Sequence, residues 1–187
     1  TGNPATSFKF IAQDGIGDGM DPTKIGGEFT ADVTKVDAAK YLVDQDKCDF
    51  GGLTVPSATF PFDATKIKEG QRVEVDTVSV VPPVNGSLLA DKVRLEQQAL
   101  KGTVSNFAAG NGGAATFDLT VPADSYLATL NPSISPLTVH VFLQPGTNNK
   151  FGAIANANSV RVRGLLFWTG TQFNMIARRI TAPSQSL

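Results

Sequence analysis

The chain has 187 residues, 41% of them hydrophobic, which is apolar material for one large core or two small ones. A single cysteine, Cys48, excludes a disulfide scaffold, and no apolar run approaches the roughly 18 residues of a membrane-spanning helix. The net charge of −1 hides an imbalance: residues 1–98 hold ten Lys or Arg against fifteen Asp or Glu, giving −5, and residues 99–187 hold six against two, giving +4.

Residues 1–27 read as an N-terminal extension. SFKFI at 7–11 is a short strand with Phe8 and Phe10 on one face and Lys9 on the other. A strand of this kind closes an edge in its own chain or adds to the edge of a neighbouring molecule. The loop after it interleaves Asp14, Asp18 and Asp21 with glycines. Three carboxylates in a bendable loop can converge on calcium, although the spacing is not that of a helix-loop-helix site and a solvated turn carries the same composition.

A first unit is expected over 28–98. Phe29, Ala31 and Val33 alternate with polar residues, and KYLVD, FGGLTV and ATFPF follow as short segments bounded by Gly, Pro or Asp. Cys48 lies among Asp44, Asp46 and Asp49, the opposite of what activates a thiol. Val73 and Val75 share a face, after which the apolar phase switches to Val78 and Val80; such a switch needs a bulge or a barrel corner. PPVNG at 82–86 is a turn, and the glycosylation pattern Asn85-Gly86-Ser87 sits inside it. LLADKVRLE then returns as a strand. DKVRLEQQALK at 91–101 is rich in helix formers, but its counterpart RRITAP at 178–183 holds β-branched residues and ends at proline, which favours strand.

That counterpart belongs to a repeat. Val73, Val75, Ala90 and Val93 match Val160, Val162, Ala177 and Ile180 at a constant offset of 87, which marks a shared supersecondary unit. Val33 matches Val104 at an offset of 71, so a second unit over 99–187 carries a 16-residue insertion, placed near 122–136. There Asp124 or Ser125 can cap one helical turn that Asn131-Pro132 stops. FDLTV and TVHVFL flank it as strands. The last hairpin, VRVRGLLFW and QFNMIARRI, is apolar on both faces around Leu165 to Trp168, so it packs against something besides its own core.

The V-x-V entry, Gly-containing turn and Ala-x-x-Ile or Ala-x-x-Val exit are Val73, Val75, Gly86, Ala90 and Val93, then Val160, Val162, Gly164, Ala177 and Ile180. On these residues the chain resembles a family of exported bacterial proteins built from a small antiparallel barrel domain of unknown function, often in tandem and related in shape to OB-folds. The resemblance covers most of 28–182. It departs at Thr77, where the second copy has Gly164, and at Ala157, where the first has Gly70. It implies export and a β-barrel, and brings no catalytic residues.

Arg161, Arg163, Arg178 and Arg179 cluster on the last hairpin. A two-residue turn at Gly170-Thr171 sets Arg163 opposite Arg178, and facing like charges call for an anion or carboxylate between them. Phe167, Trp168 and Phe173 nearby make a glycan surface conceivable, whereas a pI near 5.8 disfavours nucleic acid. His140 is the sole histidine, so any Ser-His-Asp or metal-His site depends on it alone. There is no nucleophile motif, paired His, phosphate loop or Cys-x-x-Cys, and the expectation is that the chain is not an enzyme.

The expected fold is all-β: two tandem antiparallel small β-barrel (OB-like) or sandwich-like units behind an extension strand. The expected role is a non-catalytic structural protein at the cell surface or outside the cell, its signal peptide removed before Thr1. It would self-associate into a polymer or filament, the Phe8 and Phe10 strand adding to a neighbour's sheet and the basic hairpin meeting an acidic unit. The alternative is a glycan- or polymer-binding module using Arg163 and Trp168. No cofactor is expected beyond the calcium candidate.

Overall fold

The computed structural model of the protein describes residues 8–12, 28–36, 42–43, 67–77, 90–110 and 114–184, with side chains described at 67–73, 95–110 and 114–184. The first half contributes β1 (Phe8–Ala12), β2 (Glu28–Val36), β3 (Leu42–Val43), β4 (Arg72–Thr77) and β5 (Ala90–Leu95). The second contributes β6 (Gln97–Ala108), β7 (Ala115–Thr120), α1 (Tyr126–Leu130), β8 (Thr138–Asn149), β9 (Ser159–Trp168) and β10 (Phe173–Thr181). The helix-former-rich run 91–101 is strand, broken at Glu96.

The second half closes on itself as a five-stranded barrel in the order β10-β8-β7-β6-β9. Its ladders are antiparallel except β8 with β10. Period-two alternation puts Leu100, Val104, Phe117, Leu119, Val139, Val141, Val160, Val162, Phe173 and Met175 inside. Each such burial stabilises by about 1.5–3 kcal/mol for a Val, Leu, Phe or Met. Gly164 is required by its neighbour strand: a Cβ there would overlap the Ile176 carbonyl oxygen.

The single turn of α1 is cut as the sequence implies. Ser125 caps it, its Oγ accepting from the Ala128 N–H at 3.2 Å, and Asn131 ends it. The turn exists to deliver Leu127, 2% exposed, into the barrel core.

The first half forms a sheet in the order β1-β2-β4-β5-β3. β1 pairs with β2 of the same chain, Phe8 against Val36 and Phe10 against Val33. The hairpin β4–β5 has the register of β9–β10: Val75 faces Val93 as Val162 faces Ile180, and Thr77 faces Ala90 as Gly164 faces Ala177. Both ladders slip at the same point, leaving Asp91 in one and Arg178 in the other as the extra residue of a β-bulge. The extra residue lies on β5 and not on the strand carrying Val73 and Val75, and Val78 and Val80, where the apolar phase switch is expected, lie outside the described residues. The second offset also holds, since Phe29 faces Val75 as Leu100 faces Val162.

The turns leading into these hairpins match bond for bond. Lys68 N–H donates to Gln71 Oε1 at 2.6 Å and Ala155 N–H to Asn158 Oδ1 at 2.7 Å, while the Gln71 and Asn158 amides return to the Lys68 and Ala155 carbonyls. Gly70 and Ala157 hold the equivalent position at φ of 89° and 68°. The left-handed conformation suits the glycine at position 70.

Leu165, Phe167 and Ile176 are buried, at most 1% exposed, yet lie outside the barrel core. Their strands bury both faces. The first half reaches these strands where β5 meets β9 and where Gln71 Nε2 donates to the Leu166 carbonyl at 2.7 Å. The segments FGGLTV and ATFPF, the turn 82–86, Cys48 and the acidic clusters Asp14, Asp18, Asp21 and Asp44, Asp46, Asp49 lie outside the described residues.

Candidate functional site

The inward set on β9, Val160 and Val162, forces Arg161 and Arg163 outward. On β6 the same logic turns Lys101 outward between Leu100 and Gly102. The ladders then set Lys101 beside Arg161, Ala99 beside Arg163, and Arg163 beside Arg179. Ala99, Lys101, Arg161 and Arg163 line an open groove of about 900 Å³, together with Gly70, Arg72 and the segment from Asp124 to Leu127. Among the described residues lining it, Arg72, Lys101, Arg161 and Arg163 are cationic and Glu96 and Asp124 anionic.

Its wall is fixed by a polar latch between the halves. Arg72 N–H donates to Gln98 Oε1 at 2.7 Å and Gln98 Nε2 to the Gly70 carbonyl at 2.9 Å. Asn131 Nδ2 donates to the Glu69 carbonyl at 2.9 Å. A side chain at Gly70 would collide with Leu127, so the close approach and the positive φ both demand glycine.

The arginine arrangement differs from the sequence expectation. Facing positions from Trp168–Phe173 to Gly164–Ala177 follow a simple two-residue turn, but the bulge at Arg178 moves the register by one, and Arg163 faces Arg179 instead of Arg178. Arg163 and Lys101 are exposed; Arg178 and Arg179 are half-buried, and Arg179 Nε and Thr181 Oγ1 are buried without a hydrogen-bond partner among the described residues.

The aromatic set is not a stacking platform. Phe167 and Phe173 are buried, and Trp168 packs on Phe173 at 4.8 Å between ring centroids with Lys68 Nζ 5.7 Å from its own. Among the described residues the large exposed apolar side chain is instead Tyr126, at the groove's rim and 39% exposed. Sequence reasoning missed Tyr126, Lys101 and Arg72. For Lys101 a signal existed, its position between the inward Leu100 and Gly102. Phe8 and Phe10 are placed only as positions in the β1–β2 ladder.

His140 has a partner on the next strand. Its Nδ1 lies 2.6 Å from Asp118 Oδ1, and Asn106 Nδ2 donates to Asp118 Oδ2 at 2.7 Å. Burial raises the Asp118 carboxyl, but the Asn106 and His140 hydrogen bonds and the His140 charge outweigh it, leaving a net shift below the usual carboxylate range. Ser105, Asp118 and His140 occur in that order across β6, β7 and β8. A nucleophilic relay needs the imidazole in the middle; here the carboxylate is, and the row is arranged as a cross-strand brace.

No protein-family model, curated protein or solved structure matches the chain.

Proposed function

We propose that the chain is a non-catalytic structural protein of two tandem OB-like units, exported to the cell surface or beyond, that associates with copies of itself. The observation that carries this reading is the join between the halves, where buried Gln71 donates to the Leu166 carbonyl between Leu165 and Phe167, two residues buried outside the barrel core. A unit whose hairpin is apolar on both faces is built to have another unit against it. The shared registers of the two hairpins support the tandem reading, and the closed five-strand order supports an OB-like one. Cell fractionation tests the location. Size-exclusion chromatography with light scattering over a concentration series tests the association: species larger than the monomer are expected, and a monomer at every concentration contradicts it.

A second reading is favoured by the groove itself. Its excess of cations and exposed Tyr126 suit an acidic glycan or another anionic polymer. Retention on an immobilised acidic polysaccharide, lost on Arg163→Ala, supports this reading over assembly.

A further inference from the structure

We propose that the groove is a clamp: it is complete only while the turn at 68–71 is docked on the barrel, so a ligand bound in it and the joint between the halves stabilise each other. This rests on the reading of the groove as a polymer site and adds how that site is regulated.

The lining comes from two parts of the chain that only the fold brings together. Gly70 and Arg72 belong to the first half, and Lys101, Pro122, Tyr126 and Arg163 to the second. Glu96, which also lines the groove, is the single residue separating β5 from β6. A link of one non-strand residue beside a cleft is the kind of position that absorbs the φ/ψ change of a hinge.

Side-chain hydrogen bonds to the turn set the width of the cleft. Gln98 accepts from Arg72 N–H at 2.7 Å and donates to the Gly70 carbonyl at 2.9 Å, Asn131 donates to the Glu69 carbonyl at 2.9 Å, and Gln71 donates to the Leu166 carbonyl at 2.7 Å. Arg72 is pinned a second time, since its carbonyl accepts from Glu96 N–H at 2.9 Å. Such bonds exchange a protein partner for water at small net cost, so the docked arrangement is open to a shift of population. The matching turn at 155–158 is held differently: Ala157 N–H and the Asn158 carbonyl pair with the backbone of Val104 on β6, both at 2.8 Å. That turn is part of the barrel, and the turn at 68–71 is latched to it.

A ligand spanning the groove binds the docked arrangement better than one in which the two walls have parted. The coupling is reciprocal: whatever the ligand adds to the joint, the joint adds to the affinity for the ligand.

The test is hydrogen exchange of the full-length wild type with and without saturating dextran sulfate, read at the Arg72 amide that donates to Gln98. Dextran sulfate should slow it by about fivefold or more, the lower end of usual coupling between sites, with the Val104 amide changing less. Gln71→Ala, at a position that does not line the groove, should weaken dextran sulfate binding by about the same factor. Asn158→Ala, which removes the matching bond at the other turn, should leave binding unchanged. Exchange at Arg72 that does not slow, or slows only as much as at Val104, overturns the clamp while the groove stays a binding site. So does a folded Gln71→Ala that binds as tightly as the wild type, or equal losses in both variants. A wild type that binds no dextran sulfate, or whose binding survives Arg163→Ala, overturns the reading of the groove itself.

Discussion

The Gln71 side chain joins two hydrogen bonds that belong to different halves of the chain: its Oε1 accepts from Lys68 N–H at 2.6 Å, and its Nε2 donates to the Leu166 carbonyl, 95 residues away, at 2.7 Å. Gln71 is fully buried. Asn158, at the matching turn, makes the first bond and, among the described residues, not the second, so the same kind of turn closes locally at 155–158 and joins the two halves at 68–71.

Gln71→Ala removes the joint and leaves buried polar groups unsatisfied. We expect a loss of about 1–3 kcal/mol, read from urea denaturation. A change below about 0.5 kcal/mol would mean that the contact carries little of the docking.

Phe167 lies outside the barrel yet is fully buried. Phe167→Ala should cost about 3–5 kcal/mol, as much as the barrel-core Phe117→Ala. A small cost for Phe167 beside a large one for Phe117 would show the outer face to be weakly covered.

Gly164→Ala forces a methyl group against the Ile176 carbonyl, and we expect a loss of about 1–3 kcal/mol or more in thermal unfolding. Gly146 meets nothing within 4 Å, so Gly146→Ala should stay within about 0.5 kcal/mol of the wild type.

Asp118 gives the fold a pH signature. Its carboxyl is lowered in the folded state, so its contribution to stability is present above its unfolded value and lost as pH falls through the folded one. The stability gap between wild type and Asp118→Asn, measured by urea denaturation at each pH, should close as the pH drops below the usual aspartate value of about 3.9. A gap that widens on acidification contradicts this pairing.

Much of this was legible where period-two patterning recurs at a fixed distance. The offsets of 87 and 71 reappear as ladder registers because period-two patterning at matched positions fixes which residues pair. The Ser125 cap was legible because capping is local. The partner of Arg163 was misread because a single-residue bulge at Arg178 shifts the ladder by one, and counting from the turn assumes an unbroken register. The groove was not legible, since Arg72, Lys101 and Tyr126 come together only through the latch between the halves. The Asp118–His140 pair was likewise hidden, because the long β7–β8 connection through α1 leaves their register unspecified.

Sedimentation velocity of the full-length chain, over a concentration series at about 0.05 M and about 0.5 M salt, tests the assembly of charge-opposed halves most directly. The account expects sedimentation coefficients that rise with concentration at low salt and fall back toward the monomer at high salt. A single monomer boundary under every condition would contradict it.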